Sequence, residues 1–106
     1  MRLARRLVVA GDSMRPALLP GDRVVVVRSR LRSGDLVAVA DPRDHGRVMV
    51  KRITGRSATG VWVLGDDAAV STDSRHFGEV PWPLVLGRLV YRYAPAGRTG
   101  RIGRRG

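Results

Sequence analysis

The chain has 106 residues, enough for one domain with a modest hydrophobic core and too few for two independent cores. Lysine and arginine total 20 against 9 aspartate and glutamate residues, so the formal net charge of +11 gives a strongly positive surface that favours anionic partners. The absence of cysteine excludes disulfides, thiolate zinc sites and a cysteine nucleophile, and with only two histidines we expect no metal and no other cofactor.

Short apolar and β-branched runs alternate with Gly, Pro, Asp and Ser along the chain, a pattern typical of strands joined by turns. It predicts strands over residues 7–10, 23–28, 35–40, 47–53, 60–64 and 86–93. Pro16 and Pro20 leave room for at most a short helical turn over residues 15–19, because proline disfavours helix at the residue before it. We therefore expect a mostly β, single compact domain.

The basic residues concentrate at the two ends of the chain, which predicts three regions. We expect a basic N-terminal tail over residues 1–6, the packed domain over residues 7–93 and a flexible Arg/Gly-rich tail over residues 94–106. The arginines that define the two tails are Arg2, Arg5, Arg6, Arg98, Arg101, Arg104 and Arg105. Such tails suit peripheral contact with an anionic membrane.

The apolar runs of the sequence are too short for a membrane-spanning or secretory segment. The longest, residues 36–40, has five residues, far below the roughly 20 residues that span a bilayer, so we expect no transmembrane segment in this chain. The run near the N-terminus is also too short for a secretory signal. We predict a protein that is cytoplasmic or peripheral to a membrane.

Lys51 is the only lysine in the chain and is a candidate general base. A serine hydroxyl becomes a good nucleophile when a nearby base removes its proton, and a neutral lysine amine can be that base. Burial can lower the pKa of a lysine from about 10.4 to roughly 5 to 6. Strand alternation places Met49, Lys51 and Ile53 on one face, where apolar neighbours would desolvate the amine. Taken alone, Lys51 could also be a strand-edge charge that discourages aggregation.

Ser13 is the candidate nucleophile. It lies between Gly11 and Pro16, where the backbone can turn sharply and present both the hydroxyl and the backbone N–H. That N–H is suited to donate to the oxyanion that forms when a carbonyl is attacked. An ordinary turn serine or a helix N-cap would explain Ser13 equally well. Similarly, an exposed polar loop would explain an Asp73–Arg75 ion pair.

Three separated segments change this assessment when they are taken together. They are GDSMRP at residues 11–16, followed by GD at 21–22; VKR at residues 50–52; and GDD at residues 65–67, followed by STDSR at 71–75. In this order they resemble the nucleophile, general-base and site-closing segments of type I signal peptidases. The resemblance extends from about residue 8 to residue 93. The first two segments also resemble the LexA-type self-cleaving proteases, whereas the third favours the signal peptidase branch.

The resemblance implies a fold and a reaction. The fold would be a core of short antiparallel strands in a partly open barrel, and the reaction would be removal of a leader or signal peptide from a precursor protein by a Ser/Lys endopeptidase. Ser13 would be the nucleophile and Lys51 the base. Ser71 would hydrogen-bond the lysine amine, and Asp73 and Arg75 would form a supporting ion pair.

The nucleophile segment of the resembled family also supplies the oxyanion site. Here it includes Gly11, Asp12 and Met14, and the Ser13 N–H would be the oxyanion donor. Some members add a serine hydroxyl two residues before the nucleophile. In this chain that position is Gly11, so a second donor is not identified. The resemblance further implies that the peptide binds as an added β-strand, with small side chains before the cut.

Two departures from the resembled family bear on the substrate. Typical members carry an N-terminal membrane anchor, which this sequence lacks, and many bacterial members have a large β insertion between the base and the third segment. A maturation protease like those of nickel superoxide dismutase would fit a minimal core without an anchor. Equally, an anchor would precede Met1 if the chain is a fragment.

Three other interpretations stay open. The chain could be a self-cleaving LexA-type peptidase, a non-catalytic relative, or a basic β-barrel that binds nucleic acid through its arginines. Nucleic-acid binding would favour exposed aromatic side chains for base stacking. Only five aromatic residues occur, and core packing would explain four of them, so a nucleic-acid partner is not expected. The aromatic residues are Trp62, Phe77, Trp82, Tyr91 and Tyr93.

Overall fold

A computed structural model describes residues 4–103 as one antiparallel sheet. The strands are β1 (Ala4–Val8), β2 (Arg23–Val27), β3 (Leu36–Asp41), β4 (Asp44–Arg56), β5 (Gly60–Leu64), β6 (Val80–Pro81), β7 (Val85–Ala94) and β8 (Gly100–Arg101). Their order across the sheet is β1-β2-β7-β3-β4-β5-β6, and β8 pairs with β7. The sheet is not closed into a barrel. The predicted mostly β, single compact and partly open fold is confirmed.

Helices contribute little to the fold. One α-helix, α1 (Ser74–Phe77), follows β5, and three short 3-10 helices cover Ala68–Val70, Trp82–Leu84 and Ala96–Arg98. The predicted turn near residues 15–19 is a single hydrogen-bonded turn, in which the Leu18 N–H donates to the Met14 carbonyl (2.9 Å). Within residues 4–103 no helix has the length and apolar character needed to cross a membrane.

Most strands lie where the sequence predicts them, and the differences occur at sheet edges and ends. The predicted strand at 47–53 extends to Asp44–Arg56, and the one at 7–10 lies instead at Ala4–Val8. Nearly every side chain of β1 is exposed, so the apolar alternation used for prediction is missing there. Its position is set by backbone pairing with β2, from Ala4 opposite Val27 to Val8 opposite Arg23.

Described residues on either side of 7–93 also contact the sheet or its buried side chains. Arg5 and Arg6 belong to β1 and pair with β2. At the other end, Arg98 contacts the carboxylate of Asp22, which is 2% exposed, at an Nη2 to Oδ2 distance of 3.0 Å. A buried carboxylate needs cationic or hydrogen-bonding partners, which explains why this segment lies against the domain. Arg101 lies in β8, and the remaining tail arginines, Arg2, Arg104 and Arg105, lie outside the described residues.

The core has two clusters of buried side chains, and β3 and β4 contribute to both. The first consists of Val9, Met14, Leu18, Val24, Val26, Leu36, Ala38, Val50 and Leu89. The second consists of Leu31, Val37, Val39, Met49, Ile53, Val61, Val63 and Val80. Because β4 is buried on both faces between Met49 and Ile53, it is a rigid support for the lysine that it carries.

Phe77 and Trp82 pack against the second core cluster as expected, whereas two other aromatic residues are exposed. Trp62 is 46% exposed and Tyr91 is 41% exposed. Trp62 alternates with buried neighbours in β5 and so points away from the core, whereas the neighbours of Tyr91 in β7 are only partly buried. Trp82 packs beside Arg56, whose guanidinium lies 5.5 Å from the ring centroid.

Candidate active site

Lys51 lies in β4 opposite Val37 of β3, and its side chain reaches two hydroxyl groups. The Nζ atom is 2.9 Å from Ser13 Oγ and 3.1 Å from Ser71 Oγ. The residue is 4% exposed, so its predicted burial is confirmed. Within residues 4–103, no carboxylate forms an ion pair with the amine. The structure thus contains a buried amine whose close polar neighbours are hydroxyls.

The turn between β1 and β2 positions Ser13. Gly11 has a φ of 77°, a left-handed conformation that favours glycine, and it starts the turn. Met14 is 2% exposed in the first core cluster and so anchors the turn on its inner side. The Asp67 N–H donates to the Ser13 carbonyl (2.8 Å), which ties the turn to the segment after β5. Ser13 is therefore held from both sides while its hydroxyl faces Lys51.

The other residues of the nucleophile segment have different surroundings. Asp12 is exposed and pairs with Arg15 at 2.5 Å, so its charge is matched locally. The Met14 sulfur accepts a hydrogen bond from the Asp66 N–H (3.4 Å) and lies in the core, not beside the amine. Gly11 and Asp12 line a cleft beside Ser13, whereas Met14 supports the turn from the core side.

Asp73 organises the third segment from a fully buried position. Its carboxylate caps the start of α1 and accepts hydrogen bonds from the Ser71 hydroxyl (2.7 Å) and the Gly65 N–H (2.9 Å). Arg75 contacts both carboxylate oxygens, through Nε and Nη2, each at 2.9 Å. The Ser74 hydroxyl accepts from the Val63 N–H (2.8 Å) and attaches α1 to β5. Ser71, Asp73 and Arg75 therefore form one connected network.

The hydrogen bonds of Asp73 fix the direction of the Ser71 hydroxyl. Burial alone would raise the pKa of Asp73, but hydrogen bonds from Arg75, Gly65 and Ser71 outweigh it and hold the pKa well below the usual range. The carboxylate is therefore ionised and can only accept. Because Ser71 has a single proton and donates it to Asp73, its oxygen accepts from the Lys51 amine.

The surroundings of Lys51 favour the neutral amine. Burial lowers the pKa of Lys51 below its usual 10.5, and the positive charges of Arg47 and Arg75 add to the decrease. The negative charges of Asp73 and Asp41 oppose it without reversing it.

Gly65 has a positional role that sequence reasoning did not assign. A Cβ atom at this residue would lie 2.2 Å from Ser71 Oγ and 2.9 Å from the Ser13 carbonyl oxygen. Only glycine lets the segments of Ser13 and Ser71 approach this closely. The sequence shows Gly65 only as the first residue of the GDD segment. It does not show that Ser13 and Ser71 lie next to this glycine in the fold.

A cleft borders Ser13 and Lys51 and has a volume of about 210 Å³. It is lined by Ala10, Gly11, Asp12, Ser13, Arg47, Val48, Met49, Val50, Lys51, Val70 and Thr72. The stretch of β4 along the cleft pairs with β3 on one side, whereas β5 pairs with β4 only from Arg52 onward. In the described part of the chain, the second edge of residues 47–51 thus has no partner strand.

Comparison with known proteins places the chain in one family. The family model described as signal peptidase, peptidase S26, matches residues 1–61. The mitochondrial ATP-independent inner membrane protease subunit 1a of Arabidopsis thaliana is 34% identical over 122 aligned positions, which cover 89% of this chain and 73% of that protein. The mitochondrial inner membrane protease subunit 2 of Danio rerio is 32% identical, with coverages of 95% and 70%. Subunit 1 of Mus musculus is 29% identical, with coverages of 84% and 69%.

The family match and the protease relatives identify this chain as a protease. More narrowly, the chain belongs to the signal peptidase family, peptidase S26.

Proposed function

We propose that this chain is a serine endopeptidase in which Ser13 attacks the peptide carbonyl and Lys51 is the general base. The observation that carries the proposal is the 2.9 Å contact between Lys51 Nζ and Ser13 Oγ, made by an amine that is 4% exposed. Arginine could not replace this amine, because a guanidinium stays protonated in proteins.

The hydrogen-bond network supports a defined path for the proton. The Lys51 amine donates to Ser71, so the lone pair of the neutral amine is available to the Ser13 hydroxyl. As Ser13 Oγ bonds to the substrate carbonyl carbon, its proton passes to Lys51 Nζ. The ammonium then protonates the departing amine of the cleaved peptide. Water hydrolyses the acyl-enzyme with the neutral amine again acting as base.

The negative charge on the attacked carbonyl oxygen needs a donor. The Ser13 backbone N–H is our candidate, because the turn that holds Ser13 fixes its backbone as well as its hydroxyl. Asp73 and Arg75 act through Ser71: they hold its hydroxyl so that its oxygen faces the amine. Ser71, Asp73 and Arg75 are positioning residues in this proposal.

We further propose that the substrate is a leader or signal peptide bound as an added strand. The unpartnered edge of β4 beside the cleft offers backbone groups for such pairing. Val48 (41% exposed) and Val70 (57% exposed) give the cleft an apolar lining suited to small side chains. We also predict peripheral binding to an anionic membrane. The exposed Arg5 and Arg6 of β1 would contribute to that binding.

A comparison of precursor lengths in cells tests the function. Cells that lack this gene are expected to accumulate at least one precursor that keeps its leader. Wild-type protein should restore the mature N-terminus and Ser13→Ala should not, as read by mass spectrometry of protein N-termini. If no N-terminus changes other than that of the chain itself, leader removal is wrong and self-cleavage is supported.

The pH dependence of kcat/KM is expected to follow the neutral fraction of Lys51. Because the folded pKa lies below the usual 10.5, activity should be present above that lowered pKa and lost as the pH falls through it. Initial rates on a peptide without ionisable groups near the cut measure the profile. A rate that is still level at pH 6, or a half-point at or above 10.5, contradicts a desolvated amine as base.

A further inference from the structure

Arg47 lies in the cleft, and no side chain among residues 4–103 pairs with its guanidinium. It is an exposed residue of β4, four positions before Lys51, and it lines the same cleft as Ser13 and Lys51. Strand alternation places residues 47, 49 and 51 on one face. At about 3.3 Å per residue, its backbone is about 13 Å from that of Lys51.

The charges around the cleft leave Arg47 uncompensated. Asp12 is matched by Arg15 at 2.5 Å. Asp41, whose pKa the charge of Arg47 helps to lower, is 1% exposed and binds Arg43 through both carboxylate oxygens, at 3.1 and 3.0 Å. The side chain of Arg47 makes no hydrogen bond or ion pair with any residue from 4 to 103. Because Asp12 is matched by Arg15, Arg47 is the charged side chain of the cleft lining, apart from Lys51, that has no ion-pair partner within residues 4–103.

We propose that Arg47 is a specificity residue that binds an acidic side chain of the substrate about four residues from the scissile bond. The inference rests on the proposed endopeptidase function. In a peptide paired with β4, successive residues lie opposite successive residues of the strand, so a peptide residue at Arg47 is about four positions from the one at Lys51. A guanidinium and a carboxylate there would form a charge-assisted contact.

The same charge links substrate recognition to the base. Lys51 is surrounded by the charges of Asp73, Arg47, Arg75 and Asp41, and Arg47 is the one that lines the open cleft. Its positive charge disfavours the protonated amine. Removing that charge should therefore move the half-point of the pH profile to higher pH, an effect that a purely structural arginine would not have.

The test begins with a peptide that the wild-type enzyme cleaves, chosen from a proteome-derived peptide mixture by mass spectrometry. Asp, Asn and Lys are then placed in turn at each position three to five residues from the cut, on both sides. For wild type we expect one position at which Asp exceeds Asn in kcat/KM by about two- to fivefold at low salt, with a smaller ratio at high salt. At that position Lys should be poorer than Asn.

Three variants decide the assignment. Arg47→Gln should abolish the preference for Asp and raise the half-point of the pH profile, whereas Arg47→Lys should retain both properties in part. Arg30→Gln is the matched control, because Arg30 is an exposed arginine between β2 and β3 and does not line the cleft. It should leave both measurements unchanged.

The outcomes separate the inference from the function that it rests on. Equal rates for Asp and Asn at every position, in a wild type that does cleave, overturn the role of Arg47 alone. A preference for Asp that persists in Arg47→Gln overturns it too. A wild type that cleaves no peptide in the mixture overturns the proposed function together with the inference.

Discussion

Replacing Ser13 with alanine or Lys51 with methionine is expected to lower kcat/KM by about ten-thousandfold. The first change removes the atom that attacks the carbonyl, and the second removes the only lysine amine in the chain. The two losses should not add in the double variant, because nucleophile and base act in one step. Single-turnover rates on a cleaved peptide, compared at equal protein concentration, measure the effect.

The structure supplies controls for this loss. Lys51 is 4% exposed, so a methionine of similar length fills its place, and thermal unfolding should show stability equal to or above wild type. Lys51→Arg should also be inactive, since its side chain keeps a charge that cannot be removed. Ser33→Ala changes an exposed serine outside the cleft and should be fully active. Turnover that survives in purified, folded Lys51→Met would refute the dyad.

Gly65→Ala is expected to lower kcat by at least about a hundredfold while Ser13 and Lys51 stay unchanged. The added Cβ would lie 2.2 Å from Ser71 Oγ and 2.9 Å from the carbonyl oxygen of Ser13. The two segments must then separate, and a shift of about 1 Å in a reacting group can cost about a hundredfold in rate. Steady-state kinetics should show the loss mainly in kcat.

Gly55→Ala is the matched control for this variant. Gly55 lies in β4, and a Cβ at that position would have no atom within 4 Å. The control should stay within about twofold of wild-type activity, since substitutions away from special features change little. Near-normal activity of Gly65→Ala would show that the approach of Ser71 to Ser13 is not needed for catalysis.

Much of the strand pattern and of the site chemistry could be predicted from the sequence. The strands β2, β3, β5 and β7 have clear apolar or β-branched runs, and they lie within one residue of the prediction at each end. The edge strands are different. β1 is exposed and contains Arg5 and Arg6, and β6 and β8 have two residues each, so none of them shows the alternation that predicts a strand.

The contacts made by the two ends of the chain could not be predicted, for a related reason. The arginine-rich ends resemble solvated tails in composition, yet Arg98 contacts buried Asp22 and residues 100 and 101 pair with β7. Asp22 needs a cationic partner because it is buried. The sequence does not reveal that burial, so it could not predict the contact with Arg98. Similarly, the exposure of Trp62 depends on which face of β5 meets the core.

By itself, the sequence determined the chemical groups available: one lysine, a serine in a glycine-led turn, and a serine-aspartate-arginine segment beyond them. These are properties of residue type and local spacing. Only the tertiary structure decided that the lysine amine lies 2.9 Å from a hydroxyl 38 residues away, that Gly65 leaves room for Ser71, and that Arg47 lines the cleft. The physical reason is that strand order and register are set by backbone pairing and burial over the whole chain, so distances between remote side chains have no local signature.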